Sequence, residues 1–171
     1  LDAAPDSAIS WLEKAAEQGF SPALVELGNC YMKGEVITAD TLLAADYYRQ
    51  AALGNSGEAL YKYALYMKQT GIERDTLLGS IHDCMSWAAE KGYGDALYFM
   101  VMHYDANGNY KAAYENAFAL HLQGDTRGTC YVADCYYNGR GVKRDKSLAK
   151  DLYREAAAAG NEDAVRILQG W

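Results

Sequence analysis

The sequence predicts an all-α fold, a solenoid of antiparallel helix pairs, and three observations carry that prediction. A nine-residue phrase is written four times, as AAEQGFSPA (15–23), AALGNSGEA (51–59), AAEKGYGDA (88–96) and AAAAGNEDA (156–164). Its closing small residue, at Ala23, Ala59, Ala96, Gly128 and Ala164, recurs at spacings of 36, 37, 32 and 36 residues. Periods of this size belong to stacked supersecondary units. Finally, half of the 171 residues are hydrophobic and only two are proline, so the chain can bury a core and be ordered.

Within each unit the elements follow in a fixed order. LGNCYMKG (27–34), YALYMKQT (63–70), MVMHYDAN (100–107) and VADCYYNG (132–139) come after the small residue. Apolar residues at i, i+1 and i+4 make one face of an amphipathic first helix. Gly28, Ala64, Val101 and Ala133 share one slot, mostly small, where a neighbouring helix can approach. Loops follow, among them GEVITAD (34–40), TGIERD (70–75) and GRGVKRD (139–145), each ending in an Asp suited to cap the second helix. The second helix closes on an Ala-Ala pair, and Gly19, Asn55, Gly92, Gly124 and Gly160 share the position after it. That slot calls for a left-handed residue to end the helix. The repeated phrase is therefore the end of one helix, its terminator and the entry to the next. Helix pairs are expected at 22–33/41–53, 57–69/76–91, 95–105/110–122 and 126–137/145–158, nine or ten helices in all, with no β-sheet.

These residues resemble the Sel1-like repeats, relatives of the tetratricopeptide repeats. The likeness covers nearly the whole chain and is closest in WLEKAAEQGFSPALVELGNCYMKG (11–34) and DCYYNGRGVKRDKSLAKDLYREAAAAGNEDA (134–164). It implies a right-handed α-solenoid, one domain over 1–171. Its parts would be a half repeat at 1–20, repeats at 21–56, 57–94, 95–128 and 129–162, and a half repeat at 163–171. Residues 95–128 depart from the pattern: they lack the G-x-G-V loop, and GNYKAAYENAFA (108–119) is nearer the shorter tetratricopeptide form. Leu120-His121 also stands where the other units have Ala-Ala, so a local change of superhelix twist is expected there. The unpaired helices expected at 5–18 and 162–169 read either as short caps or as the cut ends of a longer array. Leu1 in place of methionine fits a processed or trimmed chain.

A net charge of −7 and a pI of 4.9 argue against nucleic acid and against anionic membrane surfaces. No apolar run approaches the ~20 residues of a membrane helix, and no signal peptide is visible. His82, His103 and His121 fall in three different expected helices without H-E-x-x-H spacing. The neighbours His82, Asp83 and Cys84 would point about 100° apart on a helix, whereas a nucleophile and its base must converge. GRGVKR (139–144) follows no strand, so it fails the dinucleotide context. No catalytic residue, cofactor or metal is expected. Cys30, Cys84, Cys130 and Cys135 form no C-x-x-C, and the within-unit pairing of the cysteine-rich branch of the resembled family is missing, so four thiols are expected. Thiols favour a reducing, cytoplasmic compartment, while the resemblance points to the bacterial periplasm or to export.

The resemblance also implies that first helices line a concave face. Carried onto this chain, the exposed stripe reads Val25, Asn29, Met32; Tyr61, Leu65, Lys68; Tyr98, Met102, Asp105; and Cys130, Asp134, Tyr137, with Arg127 and Arg166 flanking it. Tyrosine and methionine suit interfaces, although any single tyrosine would equally serve to pack repeats together. The expected function is non-enzymatic: a monomeric module binding a protein or peptide on that face, as a bacterial adaptor or host-interaction factor. The alternatives are an immunity or inhibitor protein neutralising a toxin or effector and, last, a β-lactamase-type hydrolase of the cysteine-rich branch.

Overall fold

The structure is a computed structural model and describes residues 5–171. Ten helices occur among them: α1 (Pro5–Glu17), α2 (Ser21–Lys33), α3 (Thr41–Leu53), α4 (Gly57–Thr70), α5 (Ile81–Glu90), α6 (Gly94–Ala106), α7 (Tyr110–Leu122), α8 (Thr126–Asn138), α9 (Lys146–Ala158) and α10 (Glu162–Gln169). They fall into two compact units, one ending at Lys91 and one spanning Gly92–Trp171. Within each unit every helix packs on its neighbours in sequence, α1 through α5 in one and α6 through α10 in the other. The fold is thus of the all-α solenoid class, built from helix pairs. No described helix is long and apolar enough to cross a membrane.

The terminators sit where the sequence puts them. Gly19, Asn55, Gly92, Gly124 and Gly160 have φ of +75°, +71°, +77°, +79° and +91°, a region that costs glycine nothing and asparagine little. Two of the three Asp caps also appear. Asp40 accepts the Leu42 and Leu43 N–H groups at 3.1 and 3.0 Å, and Asp145 accepts those of Ser147 and Leu148, both at 3.0 Å.

The third cap does not. The expected helix 76–91 begins only at Ile81, and Ser80 caps it in a reciprocal box with Asp83. The residues before it form a tight hairpin, β1 (Arg74–Asp75) against β2 (Gly79–Ser80), where no sheet was expected. The reason lies in Asp75. Its carboxylate accepts the Arg49 Nε–H at 2.7 Å, the Tyr63 hydroxyl at 3.0 Å, and the Leu77 and Leu78 N–H groups at 2.8 and 2.9 Å. A side chain committed to α3, α4 and its own turn cannot also cap a helix. Burial opposes its charge, but Arg49, the two amides and Tyr63 prevail and hold the carboxyl well below the usual range.

Close approach explains the small slot. Ala64, Val101 and Ala133 are fully buried. A Cβ on Gly28 would stand 2.5 Å from a ring carbon of Tyr48. The departing unit shows the same constraint in another form. A Cβ at Gly128 would lie 2.6 Å from the His121 nitrogen and 2.7 Å from the Ala117 carbonyl oxygen. With Leu120-His121 in the Ala-Ala place, the facing helix gives up its methyl. The 32-residue spacing across that unit also reflects its short loop, Asn107–Asn109, between α6 and α7.

Helix propensity alone would favour Gly128→Ala by about 1 kcal/mol, and the other repeats carry Ala in that slot. We expect instead a loss of roughly 1–3 kcal/mol from overpacking against backbone, read as a lower denaturation midpoint. Asp75→Asn is expected to cost about 1–2 kcal/mol by weakening a half-buried charged network. Because Asp75 titrates below its unfolded value of ~3.9, its contribution is complete above that pH and is lost as the pH falls further. Urea titrations of both proteins should therefore converge in acid.

Candidate functional site

The first helices of the second unit, α6, α8 and α10, enclose a groove of about 400 Å³ lined by Tyr98, Arg127, Cys130, Tyr131, Asp134, Asn161, Asp163, Arg166 and Ile167. Its most defined feature is Arg127. The Nε–H and Nη2–H groups bond both oxygens of Asp125 at 2.6–3.1 Å, and Nη2 also reaches Asp95 at 2.9 Å. So held, the guanidinium lies 4.8 Å above the Tyr98 ring, and the Asp125 and Asp95 bonds push its pKa further up. Arg166 is more exposed and pairs with Asp163 at 3.2 Å.

The predicted stripe separates into structural and available members. Asn29 accepts the Tyr48 hydroxyl at 3.0 Å. Asp134, at the same repeat position, accepts the hydroxyl of Tyr153, which is likewise the counterpart of Tyr48. Asp105 accepts the Tyr131 hydroxyl at 2.7 Å, with Arg140 at 3.9 Å. These three bind helix to helix. Val25, expected to be exposed, is buried at 3% accessibility, because its helix turns that residue into the core beside Leu24. Met102 and Leu65 stand out at 48% and 41%, Lys68 is exposed, and Met32, Tyr61, Tyr98 and Cys130 are half-buried. Tyr137 is half-buried under Trp171, ring centroids 5.0 Å apart.

A second space, about 660 Å³, lies between α8, α9 and the end of α10. Tyr137, Tyr153 and Trp171 give its aromatic wall; Asp134, Asn138, Lys146, Ser147 and Lys150 are its polar side chains. The sequence reading missed Trp171 and the lysines because they lie outside the first-helix register. Their signal was the cluster of basic residues along 140–154. It also passed over an S-x-x-K spacing, Ser147 to Lys150. An activated serine needs its base within hydrogen-bond reach, but the Lys150 ammonium lies 5.3 Å over the Trp171 ring instead.

The histidines are on α5, α6 and α7, and His121 Nδ1 sits 2.9 Å from the Thr129 hydroxyl. All four cysteines are free. Burial pushes the thiols of Cys84 and Cys130 up to about 11 and that of Cys135 to about 12; the Cys84 thiol donates to the Leu78 carbonyl at 3.2 Å. They are poor nucleophiles at neutral pH.

The repeat geometry agrees with the comparisons. The chain belongs to the Sel1 repeat family, whose profile matches residues 2–20, 21–56, 57–79 and 126–161. The unmatched stretch 80–125 contains most of the departing unit. Among solved structures, a Sel1 repeat protein from Oxalobacter formigenes is 32% identical over 95% of this chain, with a TM-score of 0.72. The protein c5321, a protective antigen present in uropathogenic Escherichia coli strains that displays an SLR fold, is 24% identical over 94% of this chain at a TM-score of 0.50. MamA is 20% identical over 94% of this chain and 91% of its own, at 0.51; these last two share the fold. The chain spans 66% of the Oxalobacter protein and 43% of the Escherichia coli one, less than two thirds of either. No curated protein matches. Sel1 repeats are in general protein–protein interaction modules.

Burial raises the Asp134 carboxyl above its ordinary value, and the Tyr153 hydroxyl pulls only partly against it. The neutral Asn29 does the same structural work for Tyr48. A raised folded pKa means that ionisation of Asp134 costs stability as the pH rises through that value. Asp134→Asn should therefore be at least as stable as the parent at pH 7, the difference shrinking as the parent is acidified to pH 4. Denaturation at both pH values measures it.

Proposed function

We propose that this chain is a non-catalytic adaptor that binds a protein or peptide on its first-helix face, with the groove between α6, α8 and α10 as its anchor. The observation that carries the reading is the Arg127–Tyr98 pair. Two carboxylates fix the guanidinium over the ring, so a partner meets a neutralised guanidinium plane and an aromatic side chain already in place. Arginine and tyrosine are the residues on which binding energy concentrates, and preset side chains lose little entropy when a partner arrives. Met102 extends this surface on α6, and in the first unit Met32, Tyr61, Leu65 and Lys68 occupy the same register on α2 and α4. Asn29, Asp105 and Asp134 support the surface, their side chains bonded to neighbouring helices. In a bacterium this reading makes the chain an adaptor or a host-interaction factor.

Co-purification from the native host names the partner, and Tyr98→Ala then tests the groove. Partner binding should weaken by about 2 kcal/mol, roughly 30-fold, while unfolding stability falls by less than about 1 kcal/mol. A stability loss of roughly 3 kcal/mol with binding intact would mark Tyr98 as packing and retire the groove.

A further inference from the structure

Two cations beside the larger cavity have aromatic rings beneath them and no carboxylate partner among the described residues. Residues 140–154 carry six of the sixteen Lys and Arg residues, against only Asp145 and Asp151, in a chain whose net charge is −7. Three of the six have partners: Arg154 pairs with Asp151, Arg140 covers the Tyr110 ring, and the Arg144 Nε–H donates to the Tyr137 carbonyl; a fourth, Lys143, lies in the loop and outside the cavity lining. Lys146 and Lys150 differ. Their ammonium groups lie 4.9 Å over the Tyr137 ring and 5.3 Å over the Trp171 ring, and neither has a carboxylate partner among the described residues. An ammonium resting on an aromatic face is held in position and keeps its N–H donors.

The cavity they border fits a ligand. At about 660 Å³ it is in the range of real binding sites. Its wall is aromatic, Trp171 meeting Tyr137 and Tyr153 edge to face at 5.0 and 5.8 Å. Asp134, the lone carboxylate of the lining, is an acceptor that a small inorganic anion has no use for and a backbone N–H does. Two cations, an aromatic wall and acceptors at Asp134, Asn138 and Ser147 suit a carboxylate carried on a polypeptide, whose backbone N–H groups can use those acceptors.

We propose that the cavity between α8, α9 and α10 takes an acidic segment of a partner protein, its carboxylate between Lys146 and Lys150 and an apolar neighbour on the Tyr137–Trp171 wall. The inference rests on the first-helix face being a binding surface, since Asp134 and Tyr137 belong to that face as well. It adds the partner's charge, which overall acidity alone would have assigned the other way.

The test titrates the full chain, by calorimetry and by tryptophan emission, with a blocked six-residue peptide alternating phenylalanine and aspartate. The same peptide with lysine for aspartate, sodium acetate and inorganic phosphate are the other arms. The acidic peptide should bind with a Kd below about 1 mM, and the double variant Lys146→Glu with Lys150→Glu should weaken it at least about 10-fold. Lys33→Glu, on α2, should leave the Kd within about twofold, with circular dichroism showing all variants folded. Equal binding of acidic and basic peptides, or an unaltered Kd in the double variant, overturns the proposal. So does acetate or phosphate binding as tightly as the peptide, which would make this a small-anion site. With the native partner in hand, a loss on Tyr98→Ala but none on the double reversal removes this cavity and leaves the groove standing. The opposite pattern removes the groove and leaves the cavity.

Discussion

Within its two units the chain reverses direction at four positions where one residue takes a left-handed backbone, and the rest of each unit depends on those reversals. A second helix must stop at a set point for the next first helix of its unit to fall back against it. Where it stops is fixed by φ near +75° at Gly19, Asn55 and Gly124 and by +91° at Gly160. Three glycines do this without strain, and Asn55 does so as the only non-glycine residue with positive φ among those described. Once the reversal is set, close approach becomes the governing condition. The Gly28, Ala64, Val101 and Ala133 slot is buried because nothing larger would let the helices meet. Where the facing pair grows from Ala-Ala to Leu120-His121, the approaching helix shrinks to Gly128. Volume is conserved across the contact, not at either position alone.

Polar side chains then tie the pairs together, and they do it with neutral or charged acceptors as the neighbourhood allows. Tyr48 to Asn29 and Tyr153 to Asp134 are the same bond written twice in equivalent repeats. In the two repeats between them the acceptor position is Leu65 and Met102, both exposed apolar side chains. One slot thus serves packing at the two outer repeats and offers surface at the inner ones. This is why register alone does not sort binding residues from structural ones.

That limit shows how much the sequence could tell. Helix bounds other than the start of α5, the terminators and two Asp caps were legible because each depends on a few neighbouring residues and repeats with the period. Asp75 was not. Its partners Arg49 and Tyr63 lie 26 and 12 residues away, and only three-dimensional proximity reveals that they take the carboxylate away from the helix end. Val25 failed for a related reason, since the repeat spacing fixes a position on the helix but not how far that helix rolls into the core. Trp171 and the lysines at 146 and 150 escaped because they come from a second helix and a helix end, and no first-helix template would place them beside Tyr137.

The two cavities of the second unit share Asp134 and divide its chemistry. On one side, Arg127 and Arg166 face carboxylates that already neutralise them, so the α6–α8–α10 groove offers shape and aromatic surface more than charge. On the other, Lys146 and Lys150 have only rings beneath them. Exposed ion pairs add little net attraction for a partner because their charges are already spent on each other, whereas a cation held on an aromatic ring without a carboxylate keeps its N–H donors for an anion. Asp134, half-buried and bonded once by Tyr153, stands between them. Asn29 shows that the Tyr153 bond does not need a charge, so the negative charge at 134 is free to orient whatever lies in either space.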